Sequence, residues 1–124
     1  MKEIMVIAPT RGIFDAARSL IAEHRYENIE VDQGTMADGL EKARAAVDAG
    51  ARILVSRGGT YRMCCEAFAL PVVEIKVSAY DIIQTLSDAE IRDRVIGVVG
   101  YNNVVDGFDI LRALLPYESV KIEL

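Results

Sequence analysis

Short apolar runs alternate along the chain with segments whose apolar residues recur at helical spacing. The runs that begin at Ile4, Ile53 and Val95 have no polar interruption, which is typical of strands buried on both faces of a parallel sheet. We therefore expect these three strands at the centre of a sheet. Six strands are predicted in all, at 4–8, 28–32, 51–56, 72–77, 95–99 and 119–123.

The run at 72–77 has a different pattern, because Glu74 and Lys76 alternate with apolar residues. This alternation predicts an edge strand or a strand that faces a cleft. Capping-box patterns at 35–38 and 78–81 indicate the starts of two helices. Five helices are predicted from apolar residues at helical spacing, at about 13–25, 36–47, 61–69, 82–86 and 104–115.

Strict alternation of strands and helices predicts an α/β fold of the three-layer α/β/α kind with a mainly parallel sheet. A polar stretch at 88–94 interrupts the pattern. It divides the chain into a first lobe at 1–92, of chelatase or flavodoxin type, and the beginning of a second, apparently incomplete lobe at 93–124.

Composition narrows the function classes. The chain has 124 residues, of which 52% are hydrophobic and 27% charged, as in a globular domain. Its net charge of −5 disfavours binding of nucleic acid by this chain itself. No apolar run is long enough for a membrane span or a signal peptide, so we expect a cytoplasmic protein without membrane contact. One histidine and two cysteines exclude a zinc site built on several His or Cys ligands, and we expect no metal and no cofactor. Asp32, Asp81 and Asp106 could meet at the edge of the sheet and bind a metal, but helix capping explains Asp81 and Asp106 just as well.

The carboxyl ends of the predicted strands share one edge of the sheet, where open α/β folds bind ligands. The turn at 56–60 has the strongest chemistry there. Gly58 and Gly59 allow a ligand to approach the backbone, and Thr60 opens a helix whose dipole favours an anion. Arg57 offers a planar fork for a carboxylate or phosphate. An ordinary strand-to-helix turn, with Thr60 as a helix cap, explains the same pattern equally well.

The thiols of Cys64 and Cys65 support a rival interpretation, a small racemase-like or lyase-like enzyme on the same fold. Cysteines inside helices more often fill the core. The two interpretations differ in where a thiol lies: an enzyme needs it accessible at the edge of the sheet, whereas a binding domain packs it within the helix layer. A dimerisation domain without a ligand is a third possibility.

Three segments together resemble a known family. They are the turn Ser56-Arg57-Gly58-Gly59-Thr60, the strand and helix start from Pro71 to Ile82, and the segment from Val98 to Asn103. In this combination the chain resembles the N-terminal sensor domain of propionate catabolism activators (PrpR type), found in sigma-54-dependent transcriptional regulators.

The resemblance implies a ligand-sensing module and not an enzyme. In the family, two α/β lobes flank a cleft for a small anionic metabolite, a methylcitrate-like tricarboxylate in the propionate regulators. Binding is passed to an ATPase domain that drives sigma-54 RNA polymerase, and a separate domain binds DNA. Carried over by position, the ligand-binding candidates are Ser56, Arg57, Gly58, Gly59, Thr60, Ser78 and Tyr80; Thr10 and Arg11 are added from their place at the sheet edge.

Two features depart from the family pattern. Ala79 stands where the family has glycine, and the chain ends after one βαβ unit of the second lobe. The helix of that unit has an apolar face that needs a partner. The unit either docks onto the first sheet and extends it, or packs against the same unit of a second copy; we expect the second arrangement, a homodimer. The face comprises Val104, Phe108, Leu111 and Leu115.

Overall fold

The computed structural model describes residues 2–88, 95–105, 108–113 and 119–124, which form two compact units, Met1–Ile75 and Lys76–Leu124. The first unit contains β1 (Ile4–Ala8), α1 (Arg11–His24), β2 (Ile29–Gln33), α2 (Met36–Asp48), β3 (Ile53–Ser56), α3 (Gly58–Ala67) and β4 (Val72–Glu74). The second contains α4 (Ala79–Asp88), β5 (Ile96–Gly100), α5 (Asn102–Val105), α6 (Phe108–Arg112) and β6 (Ser119–Glu123).

The first unit is built on a parallel sheet with the strand order β2-β1-β3-β4. β1 and β3 are central, as predicted from the unbroken apolar runs at Ile4 and Ile53. Ile7 and Leu54, on these two strands, are fully buried. β4 is an edge strand, as its alternating pattern predicts, and Val73 on it is 51% exposed.

Helices cover both faces of this sheet, which confirms the three-layer α/β/α prediction. The chain steps from β1 outward to β2, then back across β1 to β3 and on to β4. Right-handed crossovers therefore place α1 on one face and α2 and α3 on the other. The core lies between the sheet and α2 and α3. It comprises Met5, Ile7 and Leu54 from the strands, Ala43 and Ala46 from α2, Ala51, and Cys64 from α3.

The second unit contains a separate two-stranded parallel sheet, β5-β6, in which Ile96 is paired with Ser119. The strand from Val95, which the sequence predicts at the centre of a sheet, has β6 as its only neighbour among the described residues. The described residues therefore do not confirm the prediction of a central strand, because an apolar run sets how well a strand tolerates burial and not how many neighbours it has.

α4 belongs to the second unit, where it contacts α6. The predicted lobe boundary at 92/93 places α4 in the first lobe; it falls within 89–94, outside the described residues, and stays a prediction. Of the predicted apolar helix face, Phe108 and Leu111 are buried in the single chain. The other two members, the side chain of Val104 and residue Leu115, lie outside the described part. No helix in the described residues has the length and apolarity needed to cross a membrane.

Candidate functional site

The carboxyl ends of β1 and β3 lie side by side at the point where the chain direction across the sheet reverses. From β1 the chain turns toward β2, and from β3 it turns toward β4. The two following helices, α1 and α3, lie on opposite faces of the sheet, and such a reversal point is the usual ligand site of open α/β sheets. The turn at 9–12 and the turn at 56–60 form this edge, which we call the switch-point rim.

Ser56 ties the two central strands together beneath the rim. Its side chain is fully buried, and its Oγ donates a hydrogen bond of 2.7 Å to the carbonyl oxygen of Ile7. The hydroxyl proton is therefore committed to the protein. Ser56 fixes the end of β3 against β1 and supports the turn that follows.

Thr60 is also turned into the protein. It is 1% exposed, and its Oγ1 accepts a hydrogen bond of 2.9 Å from the backbone N–H of Met36. Met36 begins α2 with a φ of 51°, a left-handed conformation that is unusual for a residue with a side chain. Thr60 thus connects the start of α3 to the start of α2 and provides the acceptor for the Met36 N–H.

Arg57 and Gly58 form the part of the turn that leads into the start of α3. Gly58 has a φ of 62°, which glycine adopts without strain. Arg57, half-buried and with an extended backbone, is the N-cap residue but makes no side-chain capping hydrogen bond. No acidic residue lies in the first turn of α3. The positive end of the helix dipole therefore meets no carboxylate from its own first turn, and Gly59 adds no side chain over it.

The other half of the rim is more exposed. Thr10 caps α1 by accepting a hydrogen bond of 3.3 Å from the N–H of Ile13. Arg11 forms an ion pair with Asp15, with 3.0 Å between Nε and Oδ1, and its side chain is 73% exposed. An exposed pair of this kind is weak, so the guanidinium is available to an anion at little cost. A Cβ on Gly12 would meet no atom within 4 Å, so the space beside the rim is open.

Ser78 and Tyr80 lie in the second unit. Ser78 forms the predicted capping box with Asp81: its N–H and Oγ donate to Asp81 Oδ2 at 2.8 and 2.9 Å, and its Oγ accepts from the Asp81 N–H at 3.2 Å. Tyr80 is 72% exposed. The structure therefore brings seven of the nine candidates together at the switch-point rim, and the participation of Ser78 and Tyr80 stays a prediction.

The two cysteines have opposite environments. Cys64 is fully buried in the core of the first unit, and burial raises the pKa of its thiol. Cys65 is exposed. The pKa of Tyr61 is raised, mainly by a hydrogen bond with Cys65 and to a smaller extent by burial. Neither residue lies in the turns that form the rim.

Two glycines outside the predicted site, Gly34 and Gly39, allow α2 to pack closely against Thr60. A Cβ on Gly39, inside α2, would lie 2.7 Å from Thr60 Cγ2 and 2.9 Å from the carbonyl oxygen of Gly34. The backbone of α2 therefore packs directly against Thr60 and the Gly34 turn. A glycine one turn into an amphipathic helix is the sequence signal for such close packing.

Among the described residues, no three His, Cys, Asp or Glu side chains come together as a metal site would require. The acidic residues at the end of β2 and the start of α2 instead face a lysine. Lys42 Nζ lies 3.8 Å from Asp32 and 3.5 Å from Asp38 and donates to the carbonyl oxygen of Gln33. The single charge of Lys42 offsets part of the negative charge of Asp32 and Asp38 on the β2 side of the rim.

Comparison with known proteins identifies the family. No curated protein sequence matches the chain. The family model described as propionate catabolism activator matches residues 23–124, which includes the 56–60 turn, the start of α4 and the whole second unit. Thr10 and Arg11 lie before the matched residues and rest on rim geometry alone. The match covers most of the chain and confirms the resemblance drawn from its motifs: the chain belongs to the propionate catabolism activator family.

Proposed function

We propose that this chain is the ligand-sensing domain of a transcriptional activator and that it binds a small carboxylate metabolite at the switch-point rim. The observation that carries the proposal is the 56–60 turn. It lies inside the family match, at the reversal point of the sheet, and ends at a helix start with no acidic residue in its first turn.

The chemistry of the rim favours an anion with more than one carboxylate. The starts of α1 and α3 follow neighbouring strands, and neither helix has an acidic residue in its first turn. Each helix start attracts negative charge through its dipole and its N–H groups. The guanidinium groups of Arg11 and Arg57 flank them and can each hold a carboxylate through two hydrogen bonds. A di- or tricarboxylate therefore fits better than a neutral metabolite.

Ser56 and Thr60 act as positioning residues in this proposal. Both hydroxyl groups are buried and engaged with backbone groups of β1 and α2. They hold the turn in place before a ligand arrives, so that less conformational entropy is lost on binding. Arg57 and the backbone of Gly58 and Gly59 then provide the contacts.

Binding without chemistry agrees with the environment of the cysteines. Cys64, with its raised pKa and no solvent access, is a poor nucleophile. Cys65 lies well inside α3, beside Tyr61. In the longer regulator, occupancy of the rim would be passed to an ATPase domain that drives sigma-54 RNA polymerase, and a separate domain would bind DNA; the family membership supports this context.

Titration calorimetry of the 124-residue chain with di- and tricarboxylates tests the proposal. Arg57→Ala should weaken binding by about 1.5–3 kcal/mol, because a hydrogen-bonded charge pair is lost. Arg62→Ala is the matched control. Arg62 lies on the same helix and pairs with Glu66 at 3.5 Å, one turn further on. Its removal should leave affinity unchanged.

Two results would count against the proposal. One is the absence of binding by every carboxylate tested. The other is an equal effect of Arg57→Ala and Arg62→Ala, which would mean that general charge, and not the rim, attracts the ligand.

A further inference from the structure

Met36 has a backbone conformation that its place in the sequence does not explain. In the described part of the chain, two residues other than glycine have a positive φ, Arg25 at 55° and Met36 at 51°. Arg25 follows the last turn of α1, where a left-handed residue is a common helix end, and its N–H bonds to the carbonyl oxygen of Ala22. Met36 begins α2, and the left-handed conformation costs energy for a residue with a side chain. The surrounding structure must therefore hold it.

The chain is fixed on both sides of Met36. Before it, the Gly34 N–H donates to the carbonyl oxygen of Ala8 at 3.0 Å, which ties the turn to the end of β1. After it, the Gly39 N–H donates to the carbonyl oxygen of Thr35 at 3.2 Å and starts the hydrogen-bond pattern of α2. The chain must change direction between these anchors, and the left-handed residue lies at that point.

Thr60 contacts the start of α2 with both branches of its side chain. Its Oγ1 accepts the Met36 N–H at 2.9 Å, and its Cγ2 packs so closely on Gly39 that a Cβ there would lie 2.7 Å from it. Thr60 is 1% exposed, so solvent does not compete for either contact. Thr60 is also the last residue of the 56–60 turn. The same side chain therefore belongs to the switch-point rim and supports Met36.

The hydrogen bond between Met36 and Thr60 connects two conformational equilibria. The bond offsets the cost of the left-handed conformation, and that conformation in turn fixes Thr60 at the end of the 56–60 turn. An anion held by the start of α3 would order this turn, including Thr60. Such coupling is reciprocal: whatever orders the turn favours left-handed Met36, and whatever favours left-handed Met36 raises the affinity of the turn for an anion.

We propose that Met36 is a positioning residue of the switch-point rim and that its hydrogen bond with Thr60 couples occupancy of the 56–60 turn to the conformation of the α2 start. The part played by an anion rests on the proposed function, whereas the coupling between the two turns is a property of the chain without a ligand. The first turn of α2 thereby becomes a part of the first unit that responds when the rim is occupied.

Paired substitutions at residue 36 test the coupling in the unliganded chain. Isoleucine and leucine are both apolar and close to methionine in size, but a β-branched residue tolerates a positive φ far less well. Met36→Ile should therefore shift the amide resonances of Gly58 and Gly59, read by nuclear magnetic resonance, whereas Met36→Leu should leave them in place. In a Thr60→Val background, which keeps the shape and removes the acceptor, Met36→Ile should no longer affect these resonances. Equal shifts in Met36→Ile and Met36→Leu would overturn the coupling.

Titration calorimetry with citrate and succinate, a tricarboxylate and a dicarboxylate, extends the test to the occupied rim. Met36→Ile should lower the affinity about fivefold or more, and Met36→Leu should leave it unchanged. Met36→Gly, which loses the side chain but accepts a positive φ, should bind at least as tightly as the unaltered chain.

A loss of affinity in Met36→Gly as large as in Met36→Ile would assign Met36 a packing role and overturn the proposal. If neither carboxylate binds the unaltered chain while Met36→Ile still shifts the Gly58 and Gly59 resonances, the result counts against the proposed function and supports the coupling. Circular dichroism verifies that all the variants fold.

Discussion

β1 and β5 are both five-residue strands with a parallel neighbour, yet they have different environments. Four of the five residues of β1 are buried, whereas none of the five in β5 is. β1 is paired with β2 and β3 and has helices on both faces, while β5, within the described part of the chain, is paired with β6 alone and is covered on one side. An unbroken apolar sequence therefore shows that a strand tolerates burial, and the number of neighbouring elements decides whether burial occurs.

The same contrast separates the functions that the two units support. In the first unit, the closed core holds the ends of β1 and β3 in fixed register, so the 56–60 turn is supported from below by Ser56 and Thr60. A preorganised turn suits recognition of a small ligand. In the second unit, the described residues leave an apolar face of β5-β6 exposed, with Val99 57% and Ile122 50% exposed.

A truncation in each central strand tests the comparison most strongly. Leu54→Ala should lower the free energy of unfolding of the first unit by about 3 kcal/mol, because it leaves a cavity in a closed core. Val99→Ala should change the stability of the second unit by no more than about 0.5 kcal/mol at concentrations where the chain is monomeric. Urea denaturation followed by circular dichroism measures both. Similar losses for the two variants would mean that β5 is covered in solution.

Much of the first unit was predictable from sequence, because its signals are local. The unbroken runs at Ile4 and Ile53 identified the central strands, and the Glu74 pattern identified the edge. The one-sided environment of β5 was not predictable, since periodicity reports on the strand itself and carries no information about how many strands or helices adjoin it.

Helix starts also show that local signals are predictable from sequence and distant partners are not. The capping box at 78–81 is confirmed, because its partners are three residues apart. The pattern at 35–38 also predicts the start of α2 correctly, with Thr35 as the N-cap residue, but Thr35 makes no side-chain capping bond. Met36 takes a left-handed conformation there, and its N–H is bound by Thr60, which lies 24 residues further along the chain.

The positions of the turns that form the rim were predictable, but the directions of two of their side chains were not; ligand binding there stays a prediction. Arg57, Gly58 and Gly59 lie in the turn, as expected of a ligand site. The hydroxyl groups of Ser56 and Thr60, predicted to bind a ligand, instead bond to backbone atoms of β1 and α2. Such partners become visible only when the strand order is known.

Replacing each of two glycines by alanine compares a closely packed position with an open one within the first unit. Gly39→Ala should cost about 1–3 kcal/mol, because the added Cβ meets Thr60 and a backbone oxygen that has no room to move. Gly12→Ala, in the open space beside the rim, should stabilise by about 0.4–1 kcal/mol through the unfolded state. Thermal unfolding compares the two. Stabilisation by both changes would show that α2 has room to move away from Thr60.

The smallest expected effect concerns the start of α4. Ser78→Ala removes the reciprocal bonds with Asp81 and should cost about 1 kcal/mol. Ser87→Ala, an exposed serine on the same helix, is the control and should be neutral or slightly stabilising. Hydrogen exchange of the α4 amides is the suitable measurement, because it reads a local change in the presence of a more stable unit. If the two units open separately, Ser78→Ala should accelerate exchange in the second unit and leave β1 and β3 unchanged. Faster exchange in β1 as well would show that the units open together, and the difference between β1 and β5 would then concern packing and not stability.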